Sequence, residues 1–189
     1  MTWYTFFKSA HVFFAMIWVG GAVCLQVLSL RALKGDGKRQ VEFAQDAEFV
    51  GTRVFIPSTL LLVAFGIAAV INGNWPWGEN WITFGLIVFV ASFLVGVGFL
   101  GPESGRLAKL IDEKGPDAPE VTARIRRILM VSRVELVFLI SVVWAMVVKP
   151  VGQPGWFWGA LAVTAIVALG VIGSYARGGQ RATATASAP

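Results

Sequence analysis

Lys8 and His11 lie one helical turn apart in an otherwise apolar run, WYTFFKSAHVFFAMIWVGG, spanning Trp3 to Gly21. His11 is the only histidine in the chain. On a helix it shares a face with Lys8, Ala15, Trp18, Ala22 and Leu25. At ~1.5 Å per residue it lies roughly 12 Å along that helix from Trp3. An imidazole there can donate a hydrogen bond to a neighbouring helix, or it can ligate a metal. A single histidine excludes an all-histidine metal site. It leaves copper bound with Met16 or Met146, and haem, for which one histidine fills one axial position while methionine or lysine fills the other.

Met146 and Lys149 are one turn apart near the end of a later apolar run, at a depth comparable with His11 and Lys8. The spacing predicts that the pair Lys8/His11 faces the pair Met146/Lys149, with Trp18 nearby. Lys149 can instead snorkel to the interface. Ionisable residues inside a membrane span are costly and are functional candidates by default. Glu135 is the one acid so placed, with Arg133 two residues before it. Arg53, at the start of an earlier apolar run, or Gln26 offers a partner, so Arg53, Arg133 and Glu135 read as an intramembrane ion pair or as part of a proton relay. No G-x-S-x-G, no phosphate loop and no base for a serine or cysteine nucleophile occurs. The single Cys24 rules out an internal disulfide.

The elements that carry these residues follow from composition. Of 189 residues, 56% are hydrophobic and only 14% are charged, and the mean hydropathy is +0.70. So little polar surface cannot cover a water-soluble globule. A membrane span needs roughly 20 mostly apolar residues. Five segments qualify: about Tyr4 to Leu30, Val54 to Ile71, Trp81 to Gly101, Ile128 to Val148 and Trp156 to Ala176. They must be helices, because open strands would leave backbone groups unpaired in lipid. The fold class is therefore an all-α integral membrane protein, a bundle of five transmembrane helices. Pro57 falls in the first turn of the second helix, Gly101-Pro102 closes the third and Pro150 stops the fourth. Gly35 to Thr52 and Pro102 to Arg127 read as long charged loops. The second contains a short amphipathic piece with Leu107, Leu110 and Ile111, expected to lie at the interface. GTRV (51–54) and VSRV (131–134) sit at matching places and suggest a duplicated helix hairpin. The first segment lacks the basic start and cleavage site of a signal peptide, and is expected to be retained.

Charge orients the bundle. Of 16 Lys and Arg, fourteen fall in or beside the two long loops and the C-terminal tail. Only Lys8 and Lys149 are left for the opposite face. The positive-inside rule places the N-terminus outside and the C-terminus in the cytoplasm. Trp3, Trp75, Trp77, Trp81, Trp156 and Trp158 crowd the outer boundary, which makes that face the place to look for a site. A nucleic-acid partner is not expected, since the basic loops also carry nine acids and no aromatic reading platform.

Four stretches carry a family resemblance: KSAHVFFAMIWVGG, RVFIPSTLLLVAFGI, GPESGRLAKL and AMVVKP. Together, across about residues 3 to 152, they resemble a bacterial integral membrane family, domain of unknown function 2269. The resemblance implies a four-helix membrane domain over 1–152, to which the transmembrane helix over 153–177 is an addition; the small, polar composition of 178–189 reads as a disordered tail. The K-x-x-H-V-x(5)-W-x-G-G pattern is also similar to the first helix of bacterial membrane protoporphyrinogen oxidase and of copper-resistance D-type proteins. That likeness implies a haem b ligand at His11 and an essential lysine on a later helix. No lysine lies in the third helix here, and Lys149 is the substitute on offer. The expectation is an inner-membrane protein whose partner is the lipid bilayer and which binds haem b or another redox cofactor through His11 near the outer face. The alternatives are copper handling and a non-enzymatic scaffold that packs against a membrane-protein partner or a second copy.

Overall fold

The computed structural model describes residues 2–150 and 155–186, with side chains up to residue 175. The expected tail at 178–189 lies outside the described side chains. The described residues form helices and turns, with no strand. The order is α1 (Trp3–Ala32), α2 (Gly37–Val50), α3 (Ile56–Asn72), α4 (Asn80–Val95), α5 (Gly101–Lys114), α6 (Pro119–Val148) and α7 (Gly155–Ala186). Two π turns, Gly51–Phe55 and Gly96–Leu100, join α2 to α3 and α4 to α5. The described residues therefore run as five helices long and apolar enough to cross a membrane, two of them the continuous stretches Gly37–Asn72 and Asn80–Lys114.

This corrects the expected loops. The segments 35–52 and 102–127 are largely helical extensions of the spans, standing beyond the apolar zone. Their apolar residues are the reason. Leu107, Val121, Ile125 and Leu129 form a buried cluster, with Leu33, Phe43 and Ile111 packed against it. A helix that projects beyond the bilayer is held by such a seam rather than by propensity. The amphipathic piece thus packs on α6 and α2 instead of lying flat at the interface. Glu103 adds polar ties, with Arg106 at 2.9 Å and Arg124 at 3.6 Å. Asp117 accepts the backbone N–H of Gly37 at 3.1 Å. A Cβ on Gly37 would strike the Pro116 carbonyl, 2.7 Å away, so this contact between hairpins requires glycine.

Pro57 and Pro102 do not end helices. Each follows a π turn, and the helix continues through it. Proline lacks an N–H and clashes with the preceding turn of a regular helix. Widening that turn to i+5 bonding is one way to absorb it. VSRV, by contrast, is ordinary α-helix within α6. The structural counterpart of GTRVFIP is GVGFLGP, each with its proline six residues after a glycine.

At the opposite end a second core joins Val70, Trp81, Ile82, Ala145 and Phe157. Between the two cores, large apolar side chains such as Leu28, Leu60, Leu94, Ile140 and Ile166 are exposed on the outside of the bundle. In water such a belt would aggregate; around a bundle of this length it is the lipid-facing surface. Helix α1 packs most extensively on α3. Phe14 stacks on Phe65 with ring centroids 5.7 Å apart, and the Phe55 ring lies against Gly21, where a Cβ would come within 2.6 Å. Helix α7 packs on α6, with the hydroxyls of Ser141 and Thr164 2.9 Å apart.

Candidate functional site

Helices α1, α3, α4 and α6 enclose a cavity of about 600 Å³ that runs from the tryptophan-rich end to the middle of the bundle. That volume lies within the usual range for small-molecule and cofactor sites, ~300–1,000 Å³. Lys8, His11 and Trp18 from α1 and Met146 and Lys149 from α6 all line it. The two pairs named from sequence spacing therefore share one cavity. Met16 also touches it, but is 61% exposed on the outer surface of the bundle.

The ring of His11 is fixed from behind. Its Nδ1 lies 2.8 Å from the backbone carbonyl oxygen of Leu62 on α3. A carbonyl only accepts, so Nδ1 carries the hydrogen and donates. In the neutral ring that leaves Nε2 as the nitrogen with a lone pair. This is the support that metal-bound histidines commonly have, one nitrogen held by a carbonyl and the other left to ligate. The close approach depends on Gly66, one turn beyond Leu62. A Cβ there would stand 2.8 Å from Nδ1 and 3.0 Å from Cε1. Gly85 on α4 plays the same part for Met146, whose methyl group fills the space a Cβ would take.

The mouth of the cavity is aromatic and cationic. Helix α6 ends at Val148, and Lys149 takes left-handed backbone angles, φ 46° and ψ 65°, with its N–H on the Ala145 carbonyl at 2.8 Å. That conformation is unfavourable for a residue with a Cβ. It turns the side chain back over the cavity. Nζ lies 4.6 Å from the Trp75 ring centroid and 5.1 Å from that of Trp81. Lys8 Nζ lies 5.2 Å from the Tyr4 ring, and the Tyr4 side chain lies beside Trp75 and Lys149. Trp75 and Trp81 meet edge to face at 5.4 Å. Lys149 thus rests on two tryptophans rather than extending to the interface. Trp75 and Trp81 read from sequence only as boundary aromatics, while Tyr4 and Gly66 carried no signal there.

The expected group of Arg53, Arg133 and Glu135 is not brought together. Arg133 Nε donates to Gln26 Oε1 at 3.2 Å, and its guanidinium lies 5.3 Å from the Tyr175 ring. Arg53 is exposed on its π turn. Residues two apart on a helix point to different faces, which separates Arg133 from Glu135. The polar neighbour of the Glu135 carboxyl is the Ser92 hydroxyl on α4. Among the described residues no cluster of three or more His, Cys, Asp or Glu side chains occurs. A protein-only cage for a hard or borderline metal therefore has no donor set there. A haem, whose own nitrogens supply four ligands, needs only the axial positions.

No curated protein and no solved structure matches the chain. The model of a family described as a predicted integral membrane protein, DUF2269, matches residues 5–150, from the start of α1 to the proline after Lys149. That stretch holds every residue lining the cavity except Tyr4, and the chain belongs to this DUF2269 family of integral membrane proteins.

Proposed function

We propose that the large cavity binds haem b, with His11 Nε2 as an axial ligand. The observation that carries this reading is the His11–Leu62 hydrogen bond, which commits Nδ1 and leaves Nε2 to the cavity wall. The cavity size and its largely apolar lining favour a flat hydrophobic cofactor. Met146 is the thioether on the facing helix that suits the second axial position. Lys8 and Lys149 are the cations at the mouth that suit carboxylate substituents. A bound haem would supply one-electron chemistry. The chain itself holds the imidazole, lines the cavity largely with apolar side chains and places positive charge at the rim. Residues 1–152 are the unit that carries the site, and α7 is an addition packed on α6. The basic face lies in the cytoplasm of an inner membrane, as the arginine and lysine bias directs.

The test is the visible spectrum of the detergent-purified protein, expressed with added haem precursor. A Soret band that is lost in His11→Ala, while the variant still elutes as a folded species, supports the proposal. A colourless wild-type protein rejects it. Copper bound through His11 and methionines is the second reading, and metal analysis of the same sample separates the two. A scaffold role predicts neither cofactor and a co-purifying membrane partner.

A further inference from the structure

Toward the basic face lies a second cavity of about 260 Å³. Its surroundings carry most of the chain's arginines and lysines, yet none of them lines it. The ionisable residues in its wall are Glu48, exposed at the rim on α2, and Glu135, half-buried on α6. The polar groups that line the cavity with Glu135 from the packed helices are neutral or acidic: Gln26 on α1, Glu48 on α2, Ser92 on α4 and Ser104 on α5. Arg133 is turned away to Gln26 and Tyr175, and Tyr175 on α7 sits near Arg133 and Arg126. A carboxylate at this depth is costly while it is charged and unpaired. Among the described side chains, no cation lines the cavity with it to balance that charge.

Both π turns border this cavity, through Gly51 and Thr52 on one side and Gly96 and Val97 on the other. An i+5 turn followed by a proline removes an amide donor from the helix ladder and frees backbone carbonyl oxygens for other partners. The hydroxyls of Thr52, Thr59 and Ser132 donate to carbonyls of their own helices and keep lone pairs free. The wall is thus rich in acceptors around one carboxyl group. The two cavities share only Trp18 and Leu139 in their walls, and Leu139 is buried. One cavity opens toward each end of the bundle, and those two side chains stand between them.

We propose that Glu135 is a reversible proton-binding group reached from the basic face, at the blind end of a half-channel closed by Trp18 and Leu139. The step is a single protonation. A proton carried by water past Glu48 and Ser104 bonds to a Glu135 carboxylate oxygen and gives the neutral acid. The reverse step returns it to water at the same face. This assignment does not depend on haem in the outer cavity.

The full-length protein in sided proteoliposomes tests it, with the pH set separately on each face. Dicyclohexylcarbodiimide, an apolar reagent, adds to a protonated carboxyl group and leaves a stable N-acylurea that peptide mass mapping locates. The expected result is one adduct, on Glu135, absent from Glu135→Gln. Its formation falls by about tenfold per pH unit above the midpoint as the basic-face pH is raised, and ignores the pH of the other face. No adduct on Glu135 in the wild-type protein overturns the proposal, as does labelling that follows the tryptophan-face pH or is insensitive to pH. Suppression by sodium ions at constant pH would mark a metal-cation site and overturn the proton assignment. The wild-type mapping stands even if the variant fails to insert.

Discussion

His11 Nδ1 and the Leu62 carbonyl oxygen are 2.8 Å apart, and this contact ties α1 to α3 at the level of the larger cavity. Gly66→Ala should break it. The added methyl would meet the imidazole at 2.8 Å, and the ring cannot retreat while it keeps its bond to Leu62. Overpacking of this kind costs about 1–3 kcal/mol, against a helix-propensity gain of about 1 kcal/mol from replacing glycine. Net stability should therefore change little or fall slightly, while haem content falls sharply. Gly20→Ala is the control, because nothing lies within 4 Å of its added Cβ. It should keep the wild-type Soret absorbance and raise the melting midpoint modestly, since it takes the same propensity gain with no clash.

Lys149 separates two opposing terms. Its left-handed backbone costs roughly 1–2 kcal/mol. Its two cation–π contacts return about 0.5–1 kcal/mol each, more where water is excluded. Lys149→Met keeps the strain and loses the contacts, and should lower stability by about 1–2 kcal/mol. Lys149→Gly loses both and should stay near wild type. Lys149→Arg keeps both and should also stay near wild type. Tryptophan-fluorescence unfolding in detergent measures the series; equal losses for Met and Gly would show that the backbone term is absent.

At the basic face, Glu103 is 4% exposed and paired with Arg106 and Arg124. Lys38 and Glu42 form a longer, solvent-exposed pair at 3.9 Å. Exposed pairs of that kind contribute little. Glu103→Gln should lower the melting temperature measurably and loosen the hairpin ends to protease. Glu42→Gln should leave both unchanged.

The spans were legible because hydropathy alone decides what can sit in lipid. Their extensions were not, because RQVEFAQDAEFV and GPESGRLAKLIDEK carry enough charge to read as solvated connections. The partners that make them helical, Val121, Ile125 and Leu129, lie on another helix. Pro57 and Pro102 read as boundaries because an α-helix cannot hold an interior proline cheaply; the π turns remove that conflict, and i+5 bonding leaves no clear mark in composition. For the candidate site, spacing placed Lys8, His11 and Trp18 on one face and put Met146 and Lys149 at a matching depth. It could not supply the Leu62 carbonyl, since a backbone acceptor has no residue type. Nor could it turn Lys149 onto Trp75 and Trp81, which needs a left-handed residue before Pro150.

Orientation is open to a direct check. In a Cys24→Ser background, Gly78→Cys lies in the exposed connection between α3 and α4, and Glu113→Cys lies at the exposed end of α5. A membrane-impermeant maleimide added to intact cells should label Gly78→Cys at once and Glu113→Cys only after permeabilisation. The opposite pattern would invert the bundle.

The central claim is axial ligation by His11, and chemical rescue tests it most directly. His11→Gly removes the ring and leaves a gap in the cavity wall that a free imidazole can fill. The purified variant, loaded with haem b in detergent, should lack the wild-type Soret band and regain it on addition of imidazole. Wild-type protein should show no change with imidazole. A variant that binds haem b with the wild-type spectrum and no imidazole present would contradict the assignment of His11 as the ligand.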